Sequence, residues 1–534
     1  MTITSTTDTG PIGADHPLGK PGKLGNLPNY AVVAILIGGL FYVGWSLTQD
    51  LTSSVAVPWI LLGLALVTAL GFEFVNGFHD TANAVATVIY TNSLPAEIAV
   101  IWSGFFNFLG VLTASGAVAF GIISLLPVEL IMQVGSSAGL AMVFSLLTAA
   151  ILWNLGTWYL GLPSSSSHTL IGSIVGVGLA NQFLAPAGTA TSGVDWSKAT
   201  EVGMSLLVSP IVGFGAAALL LLAMKLFIRN KALYEAPKGS TPPPFWIRAL
   251  LIFTCTGVSF AHGSNDGQKG MGLIMLILIG VVPTAFALNR TPDVNYLEAY
   301  KSASVAAADT LQKYEKPGII VSDSRKVVGD AVRNKTWSDE TTVGLRQLIT
   351  DTHTNISPYG SVANVPDGMV SNTRNDMYLT GEALKLIEKN KLLPVEQADL
   401  AAIKTYHKAI DDATKFIPTW VKVAVALALG LGTMVGWKRI VVTVGEKIGK
   451  THLTYGQGAS AELVAMGTIF TADTLGLPVS TTHILSSGVA GTMTANGSGL
   501  QMSTVRNLLM AWVLTLPVSI GLSFTLFIIL RQLI

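Results

Sequence analysis

Two motifs place a proline, a row of hydroxyl side chains and a histidine between apolar runs of the chain. They read GLPSSSSH, from Gly161 to His168, and GLPVSTTH, from Gly476 to His483. A proline followed by hydroxyls breaks a helix and leaves free backbone N–H groups at the start of the next helix, where Ser and Thr side chains add donors. Because a helix N-terminus carries roughly half a positive charge, two such ends could together replace water around a tetrahedral oxyanion.

We therefore predict that the two hydroxyl motifs bind an anionic substrate. The predicted substrate-binding residues are Ser164, Ser165, Ser166, Ser167, Ser480, Thr481 and Thr482. A capped turn at a membrane surface would explain one such motif equally well. Because two copies occur in matching surroundings, we favour anion binding over a purely structural turn.

Each hydroxyl motif follows another polar motif with an aspartate at its fifth position. These motifs are NGFHDTAN, residues 76–83, and HGSNDGQK, residues 262–269. A lone carboxylate at membrane depth costs a few kcal/mol, so Asp80 and Asp266 need compensation. Carboxylate and amide oxygens are ligands that a sodium ion, a divalent metal or a proton would use. A structural cap with a salt bridge from Lys269 is the alternative.

We predict that transport and ion coupling depend on these polar side chains and on the two motif histidines. They are Asn76, Asp80, Asn83, Asn265, Asp266, Lys269, His168 and His483. Protonation of Asp80 or Asp266 would supply coupling to protons. Glu73 and Glu462 also fall in apolar segments and are further candidate proton carriers.

The composition indicates a membrane protein. Only 12% of the 534 residues are charged, against about 25% in a soluble domain, and the mean hydropathy is +0.56. The net charge of +1 gives no reason to expect a nucleic-acid partner. A single cysteine, Cys255, excludes an internal disulfide framework and a multi-cysteine metal site. Residues 1–28 have no apolar core and are predicted to be a polar tail, not a signal peptide.

Apolar segments of about the 20 residues that a bilayer crossing needs recur along the chain. They lie near 30–48, 58–92, 98–126, 138–160, 167–185, 203–228, 246–288, 418–437, 458–476, 484–496 and 506–530, of which 484–496 is too short to cross unaided. Between Ala287 and Pro418, charges mix with apolar residues at helical spacing. This stretch is predicted to be an inserted, water-exposed helical domain.

The motifs indicate an internal repeat. The two aspartates are 186 residues apart and the two motif histidines 315 residues apart, and the difference of 129 nearly equals the length of the polar insertion. Without the insertion, the chain is two copies of one unit.

Basic residues predict how the two copies cross the membrane. One cluster, residues 225–248, lies between the copies, and a second, residues 438–450, lies in the second copy. The positive-inside rule puts both in the cytoplasm, which gives a cytoplasmic N-terminus, copies of opposite orientation, and a periplasmic insertion and C-terminus. Inverted repeats with interrupted helices are typical of secondary transporters, whose substrate site lies near the membrane midplane.

The predicted fold is therefore an all-α integral membrane protein. It comprises two inverted-topology repeats with broken helices and helical hairpins, plus an inserted extramembrane helical domain. The predicted divisions are a tail (1–28), a first repeat with a leading transmembrane helix (29–228), a cytoplasmic link (229–245), the start of the second repeat (246–288), the inserted domain (289–417) and the rest of the second repeat (418–534).

At four motifs the sequence resembles the inorganic phosphate transporter (PiT) family: GFHDTANAVA, SFAHGSNDGQKG, GLPSSSSH and GLPVSTTH. The resemblance covers nearly the whole membrane portion and implies inorganic phosphate as substrate, an inverted-repeat fold and a homodimer. It also implies that Asp80, Asn83 and Asp266 are transport residues and that the Ser and Thr side chains contact phosphate.

Sodium-coupled members of that family tend to carry Asn where this chain has Lys269. This departure, together with the large insertion, resembles the bacterial low-affinity branch of inner-membrane permeases. That branch implies proton symport, with phosphate moving as a neutral divalent-metal complex. No cofactor is expected beyond a co-transported divalent cation.

Other functions remain open at this point. A sodium-coupled phosphate permease or a sulfate permease would use the same anion cradle. A membrane-bound, metal-dependent hydrolase could use the His and Asp motifs, although they lack the asymmetric acid, base and nucleophile that hydrolysis needs. A sensor would use the insertion but leave both cradles unexplained.

Overall fold

The structure is a computed structural model, and it describes residues 27–51, 58–80, 82–126, 128–132, 134–186, 193–239, 241–290, 296–360 and 362–533. Within these residues the secondary structure is helical, with no β-strand. The predicted polar tail lies almost wholly outside the described residues. The side chain of Asn83 also lies outside them.

The first part of the chain forms the helices that carry the first pair of motifs. They are α1 (Leu27–Asp50), α2 (Trp59–Asp80), α3 (Ala82–Tyr90), α4 (Ala96–Thr113), α5 (Ala117–Ile123), α6 (Val128–Met132), α7 (Ser137–Tyr159), α8 (Ser166–Phe183) and α9 (Trp196–Phe227). A short 3₁₀ turn, Lys231–Tyr234, precedes the next long helix.

The second part forms the helices of the second pair of motifs and of the predicted insertion. They are α10 (Phe245–Val281), α11 (Pro283–Phe286), α12 (Tyr296–Gln312), α13 (Ser324–Asn334), α14 (Asp339–Ile356), α15 (Asp367–Glu388), α16 (Gln397–Thr414), α17 (Thr419–Thr433), α18 (Lys438–Glu446), α19 (Tyr455–Thr474), α20 (Thr481–Asn496) and α21 (Met502–Leu533). Two 3₁₀ turns, Ser357–Tyr359 and Val362–Asn364, separate α14 from α15.

Six helical spans are long and apolar enough to cross a bilayer, judged by length and composition among the described residues. They are Trp59–Tyr90, which joins α2 and α3, and α4, α7, α9, α10 and α21. The pair α16 and α17, bent by 69°, would add a seventh. Their outer faces carry large exposed apolar side chains, such as Ile211 and Leu219 on α9. Lipid contact explains such surfaces, which a soluble protein would avoid.

The second aspartate motif lies within an unbroken helix. The motif HGSNDGQK does not interrupt its helix, because α10 is continuous over 37 residues. Its glycines instead permit close packing: a Cβ on Gly263 would overlap the backbone of Asn107, and a Cβ on Gly267 would lie 2.6 Å from Val111 Cγ2. Small residues in this role are common where membrane helices approach closely.

The hydroxyl motifs do break helices, as predicted. The turn between α7 and α8 has Gly161 at φ +67°, and the turn between α19 and α20 has Gly476 at φ +66°, a region that glycine adopts without steric cost. Ser165 and Ser480 then cap the next helices, accepting hydrogen bonds from the backbone N–H groups of His168 and His483. Each motif therefore forms a helical hairpin with a capped N-terminus.

The membrane helices pack in corresponding pairs. Helix α2 packs against α17 while α10 packs against α4, and α9 packs against the α19–α20 hairpin while α21 packs against the α7–α8 hairpin. Glycines mark both of the first two contacts: a Cβ on Gly77 would overlap the Leu429 carbonyl oxygen, and one on Gly110 would overlap that of Phe260. Each half of the chain therefore supports the hairpin of the other half.

Helices α12 to α16 pack mainly on one another. The hydroxyls of Tyr300 and Tyr406 lie 3.1 Å apart in their buried centre, and Arg325 binds both carboxylate oxygens of Asp376. Arg374 donates to the Ile131 carbonyl oxygen at the end of α6, at 3.3 Å. These helices therefore form a bundle that rests on the first half of the chain.

Candidate functional site

The tips of the two helical hairpins meet inside the protein. Ser167 Oγ, in the first turn of α8, donates to the Val479 carbonyl oxygen just before α20, at 2.7 Å. The imidazole rings of His168 and His483 lie 4.5 Å apart. The N-termini of α8 and α20 are thus neighbours, as a shared anion cradle requires.

The Asp80 carboxylate joins the two tips. Its Oδ2 accepts a hydrogen bond from Ser166 Oγ at 2.9 Å, and its Oδ1 accepts one from Thr482 Oγ1. Asp80 is the last residue of α2 and is buried, with 2% of its surface exposed. One carboxylate therefore accepts hydrogen bonds from hydroxyl groups of both hairpins.

Helix α10 brings the second aspartate and a cation to the same place. Lys269 Nζ lies 2.8 Å from Asp266 Oδ1 and 3.5 Å from Ser166 Oγ. The side chains of Lys269 and Asp266 are fully buried. Three-residue spacing puts them on one helical face, and the salt bridge of the structural alternative is present. The positive charge of Lys269 therefore directly compensates the negative charge of Asp266.

His262 completes the cluster. Its Nε2 lies 3.4 Å from Asp266 Oδ2 and 3.9 Å from Asp80 Oδ2, while its Nδ1 lies 2.7 Å from Asn107 Oδ1 in α4. His262 precedes Asp266 by four residues, a spacing that puts both side chains on one face of a helix and could have identified His262 from the sequence. His262 was nevertheless not among the predicted transport residues. Asn107, on another helix, carried no such signal.

Asp80, His262 and Asp266 form a group that could hold a metal ion. One ligand atom from each lies within 4.8 Å of the other two, and all three residues are buried. Two carboxylates and an imidazole suit a divalent cation. The ammonium group of Lys269 already neutralises part of the carboxylate charge. Because an added divalent cation would then leave excess positive charge, these three residues suit a cation that binds together with an anion.

The other predicted hydroxyls have different partners. Ser164 Oγ lies 3.0 Å from Thr157 Oγ1, Ser165 and Ser480 are helix caps, and Thr481 is buried at the start of α20. Successive residues of a helix point about 100° apart, so a first turn cannot direct every hydroxyl to one ligand.

Two predicted transport residues lie beside the cluster. Asn265 Nδ2 donates to the Leu477 carbonyl oxygen at 3.1 Å and so holds the second hairpin. Asn76 Nδ2 is 3.5 Å from Glu73 Oε2, one turn back along α2. Asn265 thus has a structural contact, and Asn76 belongs to the surroundings of Glu73.

Further residues that the sequence did not single out hold the hairpins. Asp473 accepts hydrogen bonds from Ser264 at 2.7 Å and from Gln268 at 2.5 Å, which ties α19 to α10. Trp512 stacks on His483 with ring centroids 4.1 Å apart and donates to the Pro163 carbonyl oxygen at 3.2 Å. A charge in an apolar helix was a signal for Asp473, whereas nothing nearby in sequence indicated Trp512.

Comparison with known proteins gives consistent matches over most of the chain. Residues 76–523 match the model of the phosphate transporter family. The chain is similar to the low-affinity inorganic phosphate transporters PitB and PitA of Escherichia coli K12. PitB is 41% identical over 89% of this chain and 97% of its own length, and PitA is 43% identical over 87% and 95%.

Among solved structures, there is a likeness to one described as the sodium-dependent phosphate transporter. It is 19% identical, with a TM-score of 0.49, and covers 89% of this chain and all of that chain.

Proposed function

The chain belongs to the phosphate transporter family, and from that premise we propose that it is a symporter that imports inorganic phosphate with protons. Its relatives are named as transporters, which confirms the expectation of a transporter over a hydrolase. Together with its apolar helices, they make it a multi-pass membrane protein. We propose the bacterial inner membrane as its location.

The observation that carries the proposal is the meeting of two helix N-termini at Asp80. Phosphate would lie between Ser166 and Thr482, whose hydroxyls now donate to Asp80. The other predicted substrate-binding residues shape the two tips. Two helix ends and Lys269 supply positive potential, as a tetrahedral oxyanion requires.

The same contacts explain why phosphate binding would be coupled to cation binding. Phosphate needs the hydroxyls that Asp80 holds, and its charge would be repelled by Asp80 and Asp266. A cation that neutralises this carboxylate charge would therefore favour phosphate binding. The coupling and transport residues in this proposal are Asn76, Asp80, Asn83, Asn265, Asp266, Lys269, His168 and His483.

Two cations could act in this way. A divalent metal held by Asp80, His262 and Asp266 would enter with phosphate as a neutral complex. A proton bound to a buried carboxyl group of the site would also reduce the negative charge near phosphate, without a metal. Sodium is disfavoured because Lys269 already supplies a fixed cation beside Asp266, 2.8 Å away. We therefore propose proton coupling, with a metal–phosphate complex as the transported species.

We also propose the predicted architecture of two inverted repeats interrupted by an inserted domain, with the predicted boundaries. The corresponding packing pairs α2–α17 and α10–α4, and α9–α20 and α21–α8, support it. The self-packed bundle of α12 to α16 supports an inserted domain, and the basic clusters of the sequence would place it in the periplasm. A cytoplasmic N-terminus, a periplasmic C-terminus and a homodimer remain part of the proposal.

Radiolabelled phosphate uptake into proteoliposomes tests the function. We expect an inward proton gradient to drive uptake, an inward sodium gradient to have no effect, and Mg²⁺ to raise the rate. A chelator should lower the rate if the metal complex is transported. Excess sulfate should not compete.

Each contrary result has a distinct meaning. Sodium dependence would contradict the role given to Lys269, and competition by sulfate would indicate a less selective oxyanion carrier. Absence of uptake under every gradient would overturn transport altogether.

A further inference from the structure

A third buried carboxyl group lies beside the substrate cluster, which consists of Asp80, His262, Asp266 and Lys269. Glu73 is on α2, two helical turns before Asp80, and is completely buried. It packs against α10 next to Lys269: a Cβ on Gly270 would lie 2.6 Å from the Glu73 carboxyl carbon. Only a glycine at position 270 leaves room for this carboxyl group.

The carboxyl group of Glu73 has few hydrogen-bond partners. No described residue forms a hydrogen bond with its Oε1, and its Oε2 has Asn76 Nδ2 at 3.5 Å. Lys269 Nζ pairs with Asp266 instead. A buried carboxylate with one long hydrogen bond and no paired cation is strongly disfavoured, so Glu73 holds a proton in this conformation.

The helices around Glu73 supply few other charges. On α2 the titratable neighbours are His79 and Asp80, and α10 contributes His262, Asp266 and Lys269. Helix α7 contains no charged residue. On α17, Lys422 donates to the Ala114 carbonyl oxygen, and on α8, His168 contacts Ser165. Lys269 is therefore the cation that links Glu73 to the substrate cluster.

We propose that Glu73 is the proton-carrying group of this transporter, a role that rests on the proposed proton symport. Its carboxylate takes a proton from water on the outer side, forming one O–H bond, and returns that proton to water on the inner side. Asp80 and Asp266 are less suited to this role, because Asp80 accepts hydrogen bonds from two hydroxyls and Asp266 pairs with Lys269.

Electrostatics then couples the proton to phosphate. In the absence of phosphate, the positive charge of Lys269 makes the ionised form of Glu73 less unfavourable. A bound phosphate anion beside Lys269 screens that positive charge and so favours the protonated form. Because such coupling is reciprocal, protonated Glu73 also favours phosphate binding. Release of phosphate on the inner side lets Lys269 promote release of the proton.

Glu462 offers a matched control. It is also completely buried, on α19, but its Oε2 accepts a hydrogen bond from Thr254 Oγ1 of α10. The ion pair of the substrate cluster lies elsewhere along α10, more than three turns from Thr254 in sequence. Replacement of Glu462 removes an equally buried carboxyl group without touching the contact between Glu73 and Gly270.

The test compares two reactions in proteoliposomes for wild type, Glu73→Gln, Glu73→Asp and Glu462→Gln. One reaction is net phosphate uptake driven by an inward proton gradient, and the other is phosphate–phosphate exchange at equal pH. Glutamine resembles the protonated carboxyl group, so Glu73→Gln should lose gradient-driven uptake by about tenfold or more while keeping exchange within about threefold. Glu73→Asp should stay coupled with a shifted pH profile, and Glu462→Gln should keep the wild-type ratio of the two reactions.

The outcomes separate this inference from the proposed function. If wild type exchanges phosphate but ignores the proton gradient, proton symport fails, and the role of Glu73 fails with it. If wild type is proton-coupled and Glu73→Gln keeps gradient-driven uptake, the inference alone is wrong. Equal loss of both reactions in folded Glu73→Gln, an unshifted Glu73→Asp profile, or uncoupling by Glu462→Gln would also overturn it.

Discussion

Asp80 and Asp266 hold the same position in two similar motifs, yet their surroundings differ. Asp80 accepts hydrogen bonds from Ser166 and Thr482, which belong to different hairpins. Asp266 forms an ion pair with Lys269 in its own helix. In the proposed mechanism, a substrate that competes for these hydroxyls would act on Asp80, whereas Lys269 already compensates the charge of Asp266. The two halves therefore contribute different chemistry to one site.

The hydroxyl motifs show the same asymmetry. When the motifs are aligned, Ser166 corresponds to Thr481, and Thr482 corresponds to Ser167. Asp80 nevertheless binds Ser166 and Thr482, while Ser167 donates to the Val479 carbonyl oxygen. A nearly symmetric sequence thus gives an asymmetric site.

The largest effect is expected from breaking the ion pair of the second motif. Lys269→Met would leave Asp266 buried without a cation, which should lower the free energy of unfolding by about 3–5 kcal/mol. Thermal unfolding in detergent would measure this loss. The double variant Asp266→Asn with Lys269→Met should recover part of it, and strictly additive losses would contradict a direct pair.

Asp80→Asn should have the next largest effect. It removes the negative charge through which a bound cation would favour phosphate binding, so cation-driven phosphate uptake should fall about 100-fold. Initial rates in proteoliposomes would measure the change. Asp266→Asn should reduce uptake less than Asp80→Asn, and an equal or larger reduction would refute the contrast between the two aspartates.

Removal of one hydroxyl should have a moderate effect. Ser166→Ala, and separately Thr482→Val, should each raise the KM for phosphate about tenfold, which corresponds to about 1.4 kcal/mol for a lost hydrogen bond. Concentration dependence of uptake gives the KM. Thr482→Ser retains the hydroxyl and should behave like wild type; if it behaves like Thr482→Val, the methyl group matters and the hydroxyl does not.

The smallest effect is expected at a hydroxyl whose hydrogen-bond partner is not Asp80. Ser164→Ala removes a hydrogen bond to Thr157, 3.0 Å long, worth about 0.5–1.5 kcal/mol of stability. The KM for phosphate should change less than about threefold, because Ser164 does not contact the cluster. A shift in KM as large as that of Ser166→Ala would show that all the hydroxyls act alike.

Much of the site was predictable because its motifs are local. A glycine–proline turn followed by hydroxyls forms a capped helix start wherever it lies, and this held at Ser165 and Ser480. The pairing of Lys269 with Asp266 also follows from helical spacing. The continuity of α10 did not follow, because glycines near polar residues suggest a break until the neighbouring helix that requires them is known.

The sequence alone determined the membrane environment, the two helix-breaking motifs and the need to compensate the buried aspartates. These follow from composition, local backbone preference and the free energy of a charge in hydrocarbon. Only the tertiary structure decided that Asp80 binds one hydroxyl from each hairpin, that His262 faces both aspartates, and that Glu73 lies beside Gly270. Those contacts join helices far apart in the chain, and the packing of whole helices, not any local pattern, sets which side chains meet.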